Sequence, residues 1–245
     1  MNVTSPVGDR ARLEARVARK TVCTAAGQSV EVIADLSFAL EEGETGALIG
    51  PSGCGKSTLM RILAGLDRNF EGSVLIPARS RIGMAFQEPR LLPWRSLEDN
   101  VRLAAPEASE AAIAALFAVL GLSEHRTHFP GELSLGLARR AALARAFAVR
   151  PTLLLLDEPF VSLDAPLALQ LRRDLARLVE SRRITTVLVT HDVDEAIALA
   201  DRIFVLSVRP AHVIGEVCVA KPRCEISREE GRAIAARIEA LRGAG

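Results

Sequence analysis

Residues Gly50 to Thr58 read Gly-Pro-Ser-Gly-Cys-Gly-Lys-Ser-Thr. They follow the apolar run Ala47-Leu48-Ile49 and lead into a helical pattern at Leu59, Met60, Ile62 and Leu63. Strand, glycine-rich loop, helix is an order that few chains satisfy by accident. Gly50, Gly55, Lys56 and Ser57 fill the fixed positions of the phosphate-cradling pattern G-x-x-x-x-G-K-[ST]. The glycines let the backbone bend so that successive N–H groups face inward onto anionic oxygens. A helix starting near Lys56 adds its positive dipole end. Lys56 then reaches the terminal phosphates of a nucleoside triphosphate, and the Ser57 hydroxyl takes one position on Mg2+. The whole loop, including Pro51, Ser52, Gly53, Cys54 and Thr58, is expected to line that site.

A second piece of chemistry stands at Leu153-Leu154-Leu155-Leu156-Asp157-Glu158-Pro159. Four leucines predict a strand buried on both faces, with two carboxylates at its end. Ligands of open α/β sheets sit at that edge. Asp157 suits the holding of Mg2+ through its water shell. Glu158 suits a general base for the attacking water, a role worth roughly 10²- to 10⁴-fold in rate.

Other functions are bounded by composition. The 31 basic and 30 acidic residues nearly cancel, which leaves no electrostatic footprint for nucleic acid. The longest apolar run, Ala111 to Leu122, is broken at Gly121 and too short to span a bilayer. Met1 to Lys20 lacks the apolar centre of a secretory signal. Cys23, Cys54, Cys218 and Cys224 are scattered without a C-x-x-C pair, so free thiols in a reducing compartment are expected.

In chain order, Met1–Asp9 reads as a loose leader. Period-two alternation predicts strands from Arg12 and over Val30–Leu40, ahead of the strand into the loop. Short strands at Ser73–Ile76 and Ile82–Phe86 precede a mostly helical stretch from Ser96 to about Arg150. Thr185–Val189 and Ile203–Val208 read as further strands, Ala168–Ser181 and Asp192–Ala200 as helices. Ser227 with Glu230 forms a capping box for a last helix through Leu241. The expected fold is α/β. A nucleotide core with a mostly parallel sheet (about 12–86 and 151–225) carries a small N-terminal antiparallel β subdomain, an inserted helical subdomain (about 87–150) and a C-terminal helix (226–245).

Taken together, these residues resemble the nucleotide-binding subunits of ABC transporters, over nearly the whole chain after Arg12. Gln87 is similar to that family's lid glutamine, which senses Mg2+ and the γ-phosphate. Leu133-Ser134-Leu135-Gly136-Leu137 stands where the LSGGQ signature belongs, with Ser134 and Gly136 retained. Ser162-Leu163-Asp164 resembles the D-loop, and His191 the switch histidine. The resemblance implies an ATPase using ATP and Mg2+, in which two subunits pair head to tail around each nucleotide. Ser134 then faces the γ-phosphate of the partner's site, and Asp157, Ser57 and Gln87 hold the metal.

The tract Phe86 to Trp94, and Val189 to Ala196 continuing to Arg209-Pro210, is similar to the nitrate/sulfonate/taurine importer group. Nothing near the end of the chain suggests the added β domain of many sugar and polyamine importer ATPases. The resemblance implies a peripheral subunit at the cytoplasmic face of the inner membrane. It would dock its lid segment on a separate permease and be served by a periplasmic or lipid-anchored solute-binding protein. Trp94 and Leu97 are either anchors there or part of the helical subdomain's interior.

Two departures stand out. Leu135 and Leu137 replace Gly and Gln of the signature, and a positive φ at Leu135 would be costly. No tyrosine exists in the chain, and no aromatic lies near Lys20–Thr24 to stack on adenine, where Val22 offers only an apolar contact. Two alternatives follow: a regulatory subunit that binds ATP with weak hydrolysis, and a soluble ABC ATPase outside transport.

Overall fold

The computed structural model describes residues 12–25, 27–161, 163, 165–219 and 226–244. The Met1–Asp9 leader and Cys224 lie outside them. From the amino end, β1 (Arg12–Cys23) and β2 (Ser29–Glu41) pair antiparallel. β3 (Thr45–Ile49) enters the phosphate loop and α1 (Lys56–Leu63) leaves it. β4 (Glu71–Leu75) returns to pair with β1, and β5 (Ile82–Ala85) opens a second sheet. Helices α2 (Leu97–Ala104), α3 (Glu110–Val119) and α4 (Leu135–Ala148) form the insertion. The remaining elements are β6 (Leu153–Asp157), α5 (Ala165–Ser181), β7 (Thr185–Thr190), α6 (Val193–Leu199), β8 (Arg202–Leu206), β9 (Val213–Cys218) and α7 (Arg228–Ala244).

The small sheet has the order β2-β1-β4, the large one β5-β6-β7-β3-β8-β9. The large sheet is parallel except at β9, which runs antiparallel to β8. Alternation along its strands divides the core in two. Leu48, Leu153, Leu155, Val187, Val189 and Phe204 face α1 and the antiparallel sheet. Ile49, Leu154, Leu156, Leu188, Ile203 and Val205 face the helices on the other side. Each fully buried leucine contributes roughly 2 kcal/mol. With both faces covered, the central strands need no polar positions, which explains the unbroken leucine run of β6.

β9 is absent from the sequence expectations because Gly215 and Glu216 interrupt its apolar pattern. It forms as an edge strand, and the missing side chain has a use. A Cβ at Gly215 would stand 2.6 Å from Leu241 Cδ2 of α7, so any side chain there would force that leucine to shift. The capping box of α7 forms as the sequence predicts, with Ser227 N–H donating to Glu230 and Glu230 N–H to the Ser227 hydroxyl.

In the insertion, Asn100 is buried and closes the 92–96 turn. Its Oδ1 accepts from Leu92 N–H at 2.7 Å while Nδ2 donates to the carbonyls of Leu92, Arg95 and Ser96. That clamp resolves the two readings of the lid apolar pair. Trp94, at the tip of the turn, is 69% exposed, whereas Leu97 is completely buried in the helical core and is no surface anchor. Glu98 ties α2 to the α3–α4 connection through Arg126, and pairs within α2 with Arg102. The Arg126 guanidinium, aided by Arg102, holds the Glu98 carboxyl below its ordinary range against the opposing effect of burial. Among the described residues no helix is long and apolar enough to cross a membrane.

Candidate active site

Strand register gathers the chemistry at one edge. Ile49 pairs with Thr190, Asp157 with Val189, and Ala85 with Leu156. The chain therefore leaves the sheet at the same level at Gly50, at Glu158, at His191 and just before Gln87. This is the carboxyl edge of a parallel sheet, where side chains and helix N-termini converge on a ligand.

The phosphate loop takes the shape its glycines permit. Gly53 and Gly55 have φ of 76° and 133°, and Gly55 caps the start of α1. A Cβ at Gly55 would stand 2.9 Å from Val32 of β2, so the loop rests directly on the antiparallel sheet. Lys56 is buried, donating to the carbonyls of Gly50 at 2.7 Å and Pro51 at 2.8 Å. Its ammonium thus lies inside the loop. Cys54 is buried behind it, while Pro51, Ser52 and Gly53 are exposed at the tip and Thr58 is half-buried on α1. Cys23, Cys54 and Cys218 are free thiols.

Next to the loop, the Ser57 hydroxyl is hydrogen-bonded to Asp157. Burial pushes the Asp157 carboxyl above its ordinary range, the Ser57 bond opposes that, and the adjacent Glu158 charge adds to it. A cavity of about 150 Å³ opens beside them, lined by Ser57, Arg61, Gln87, Arg90 and Asp157 among others. Hydroxyl, carboxylate and amide oxygens are hard ligands, and a buried carboxylate with raised proton affinity gains from a cation beside it. That donor set fits Mg2+.

Glu158 follows with φ of 48°, a left-handed backbone that is uncommon outside glycine. Its N–H donates to the Val189 carbonyl at 2.9 Å, which holds that backbone turn in place. Glu158 Oε2 accepts from Gln87 Nε2 at 3.3 Å, and Oε1 lies 3.4 Å from His191 Nδ1. His191 is mostly exposed and its backbone is fixed from below. Asp192 N–H donates to Thr190 Oγ1 at 3.0 Å, and that hydroxyl donates to the buried Glu195 at 2.6 Å. Burial raises the proton affinity of Glu195 and the Thr190 bond lowers it. Thr190 and Glu195 are supports that sequence reasoning did not single out.

The signature residues lie elsewhere on the chain. Ser134 caps α4 by accepting from Leu137 N–H at 3.3 Å, and among the described residues it makes no hydrogen bond to the phosphate loop. Leu135 and Leu137 lie in the first turn of α4 with right-handed backbone, so the expected strain of a positive φ at Leu135 does not arise. Leu135 projects half-exposed, while Leu137 packs on the helical core. A Cβ at Gly136 would stand 3.1 Å from Leu163, which places the signature against the turn after β6. Asp164 lies outside the described residues. Val22 is half-buried near the end of β1, opposite Val30. Arg145 of α4, which sequence reasoning passed over, donates to the carbonyls of Pro89 and Arg90 and ties the lid segment to the signature helix.

Residues 33–161 match the sequence model of the ABC transporter family. The chain belongs to that family. As an ABC ATP-binding subunit it is an ATPase with the α/β cassette fold, and it binds ATP. It is 45% identical over 202 residues to the aliphatic sulfonates import ATP-binding protein SsuB 2 of Burkholderia lata, a match covering 78% of this chain and 74% of that one. To the aliphatic sulfonates import ATP-binding protein SsuB 1 of Streptomyces avermitilis it is 50% identical over 177 residues, covering 71% and 67%. Among solved structures, the dimeric post-hydrolysis state of the ATP-binding cassette MJ0796 bound to ADP and Pi superposes with a TM-score of 0.76. That match has 27% identity and covers 85% of this ABC chain and 99% of that one. A second dimeric structure of the same cassette gives a TM-score of 0.75.

Proposed function

We propose that the protein is the ATP-hydrolysing subunit of an importer for aliphatic sulfonates or chemically related solutes of the nitrate and taurine class. The observation that carries the hydrolytic reading is the single row Lys56, Ser57–Asp157, Gln87–Glu158–His191 at the carboxyl edge of the sheet. The names of the relatives supply the solute class.

In this reading Lys56 and the loop amides bind the β- and γ-phosphates, and the Lys56 ammonium exchanges a loop carbonyl for phosphate oxygen. Ser57, Asp157 and Gln87 would hold Mg2+, which would supply neutralisation of the phosphate charge. Glu158 accepts the proton of the attacking water, and His191 fixes the carboxylate and contacts the γ-phosphate. Ser134 and Gly136 serve the nucleotide of a second subunit, the helix N-terminus of α4 facing its γ-phosphate, with Asp164 at the shared interface. The dimeric cassettes that superpose on this chain support that pairing. The subunit works at the cytoplasmic face of the inner membrane on a separate permease, with a solute-binding protein on the other side. The exposed Trp94 is the lid's anchor on the permease.

The deciding experiment co-purifies the chain with its permease and measures phosphate release with binding protein loaded with an alkanesulfonate, taurine or nitrate. Turnover should rise with at least one of these ligands and with no unrelated sugar or amino acid. Turnover indifferent to all three would end the solute assignment, and no MgATP turnover at all would end the hydrolytic one.

The signature leucines carry a further expectation. Leu135 stands half-exposed where a second subunit's nucleotide approaches, and Leu137 offers no side-chain donor. A preorganised donor to developing charge is worth about 3 kcal/mol. The double substitution Leu135→Gly with Leu137→Gln should therefore raise ATP turnover, by up to roughly tenfold after allowing for the helix propensity lost at glycine. Unchanged phosphate release in a folded double variant would mean the leucines are accommodated without cost.

A further inference from the structure

Arg209, on the turn between β8 and β9, touches the phosphate loop from outside. Its Nε donates to the Gly53 carbonyl at 3.1 Å, and Nη2 donates to the same oxygen. Among the described residues no carboxylate pairs with this guanidinium. The turn carrying it is rigid. Ser207 N–H donates to His212 O and His212 N–H to the Ser207 hydroxyl, both at 3.0 Å. Ala211 is buried and strapped to β2, donating to Val32 O at 2.8 Å and accepting from Ala34 N–H at 3.1 Å. Val32 is also the residue against which Gly55 of the loop packs.

The Gly53 carbonyl and the Cys54 N–H belong to one planar trans peptide and point in opposite directions. With the carbonyl fastened outward to Arg209, the Cys54 N–H must point inward. It donates there to Pro51 O at 3.3 Å, the same oxygen that accepts from Lys56 Nζ. The two groups therefore share an inward acceptor that an anionic oxygen can replace. Gly53, at φ of 76°, is a residue with no side chain to resist rotation of that peptide. A flip would aim a carbonyl at the phosphates instead of a donor.

We propose that Arg209 is a positioning residue for nucleotide binding, locking the Gly53–Cys54 peptide with its N–H toward the triphosphate and adding a cation at the loop tip. This rests on the ATP-binding reading above. Both hydrogen bonds come from one edge of a planar fork, which lysine cannot reproduce.

The test measures MgATP affinity by titration calorimetry and the melting temperature of the nucleotide-free chain, for the parent, Arg209→Ala and Arg209→Lys. Hydrogen bonds from a charged group predict a Kd about tenfold weaker for alanine. Lysine, which keeps charge but not the fork, should recover only part of that loss. The melting temperature should stay within about 2 °C of the parent, because an exposed side chain is removed. A turn anchor with no part in binding would instead lower the melting temperature and leave Kd unchanged, and that outcome overturns the proposal. Arg209→Met keeps much of the side chain's length without a donor and gives the same reading if alanine fails to fold. A parent chain that binds no MgATP overturns the nucleotide reading and this inference together, whereas equal Kd in parent and folded variants overturns this one alone.

Discussion

Glu158→Gln is expected to leave MgATP binding intact, to cut turnover by roughly 10²- to 10⁴-fold, and to trap a nucleotide-bound dimer. Glutamine keeps the shape of the side chain and an oxygen for Gln87 to donate to, at the position now 3.3 Å away. What it removes is the ability to take a proton. The neighbouring carboxylate cannot substitute, because Asp157 is buried beside Ser57, whereas Glu158 is the one that meets Gln87 and His191. In the proposed reading binding is governed by the loop, which the substitution does not touch. Phosphate release and gel filtration in MgATP report both halves of the expectation. A variant that hydrolyses at the parent rate would move the base to another residue. One that neither hydrolyses nor dimerises with ATP would show that Glu158 is needed for closure itself.

The adjacency of two carboxylates at the ligand edge was legible in the sequence; the backbone turn between them was not. Four leucines ahead of Asp157 announce a doubly covered strand, and a parallel strand must deliver its last residues to the ligand edge. The backbone turn at Glu158 has no signature in residue type, since glutamate rarely adopts positive φ and does so here in a tertiary setting that pins its N–H to Val189. The same division holds elsewhere. Strands with clean alternation, such as β2, and helices with capping residues, such as α7, were readable because the signal is local. β9 was not, because its reason for carrying Gly215 is a leucine of α7 that comes 26 positions later (Leu241 − Gly215). Trp94 and Leu97 look alike to a hydrophobicity argument, and only the Asn100 clamp puts one outside and the other inside. Arg209 belongs to this second class as well. Its contact with Gly53 spans the chain from the last part of the core to the loop at its start.

Ser134 and Lys56 offer the sharpest test of how two chains share the chemistry. Lys56→Ala removes the ammonium bonded to the Gly50 and Pro51 carbonyls, and with it the cation proposed to meet phosphate. Ser134→Ala removes the cap of α4, a loss of about 1 kcal/mol in stability that the fold tolerates. On the proposed pairing it also removes the hydroxyl that would meet a γ-phosphate, where one lost donor lowers turnover by about 10²-fold. Each variant alone is therefore expected to be nearly inactive, with MgATP binding lost in the first and kept in the second. Mixed in equal amounts, they should recover activity. In a head-to-tail pair each site joins the loop of one subunit to the signature of the other, so a mixed pair holds one doubly damaged site and one in which Lys56 and Ser134 are both intact. Random pairing makes half the dimers mixed, leaving about one quarter of all sites whole. If sites with one whole partner act independently, turnover recovers toward that fraction; if both must fire together, it stays low while a single nucleotide is occluded per mixed dimer. A site built within one chain allows neither result, because every chain in the mixture carries a lesion. No recovered turnover and no occluded nucleotide would thus place Ser134 outside the partner's site, and full activity in Ser134→Ala alone would remove it from the chemistry.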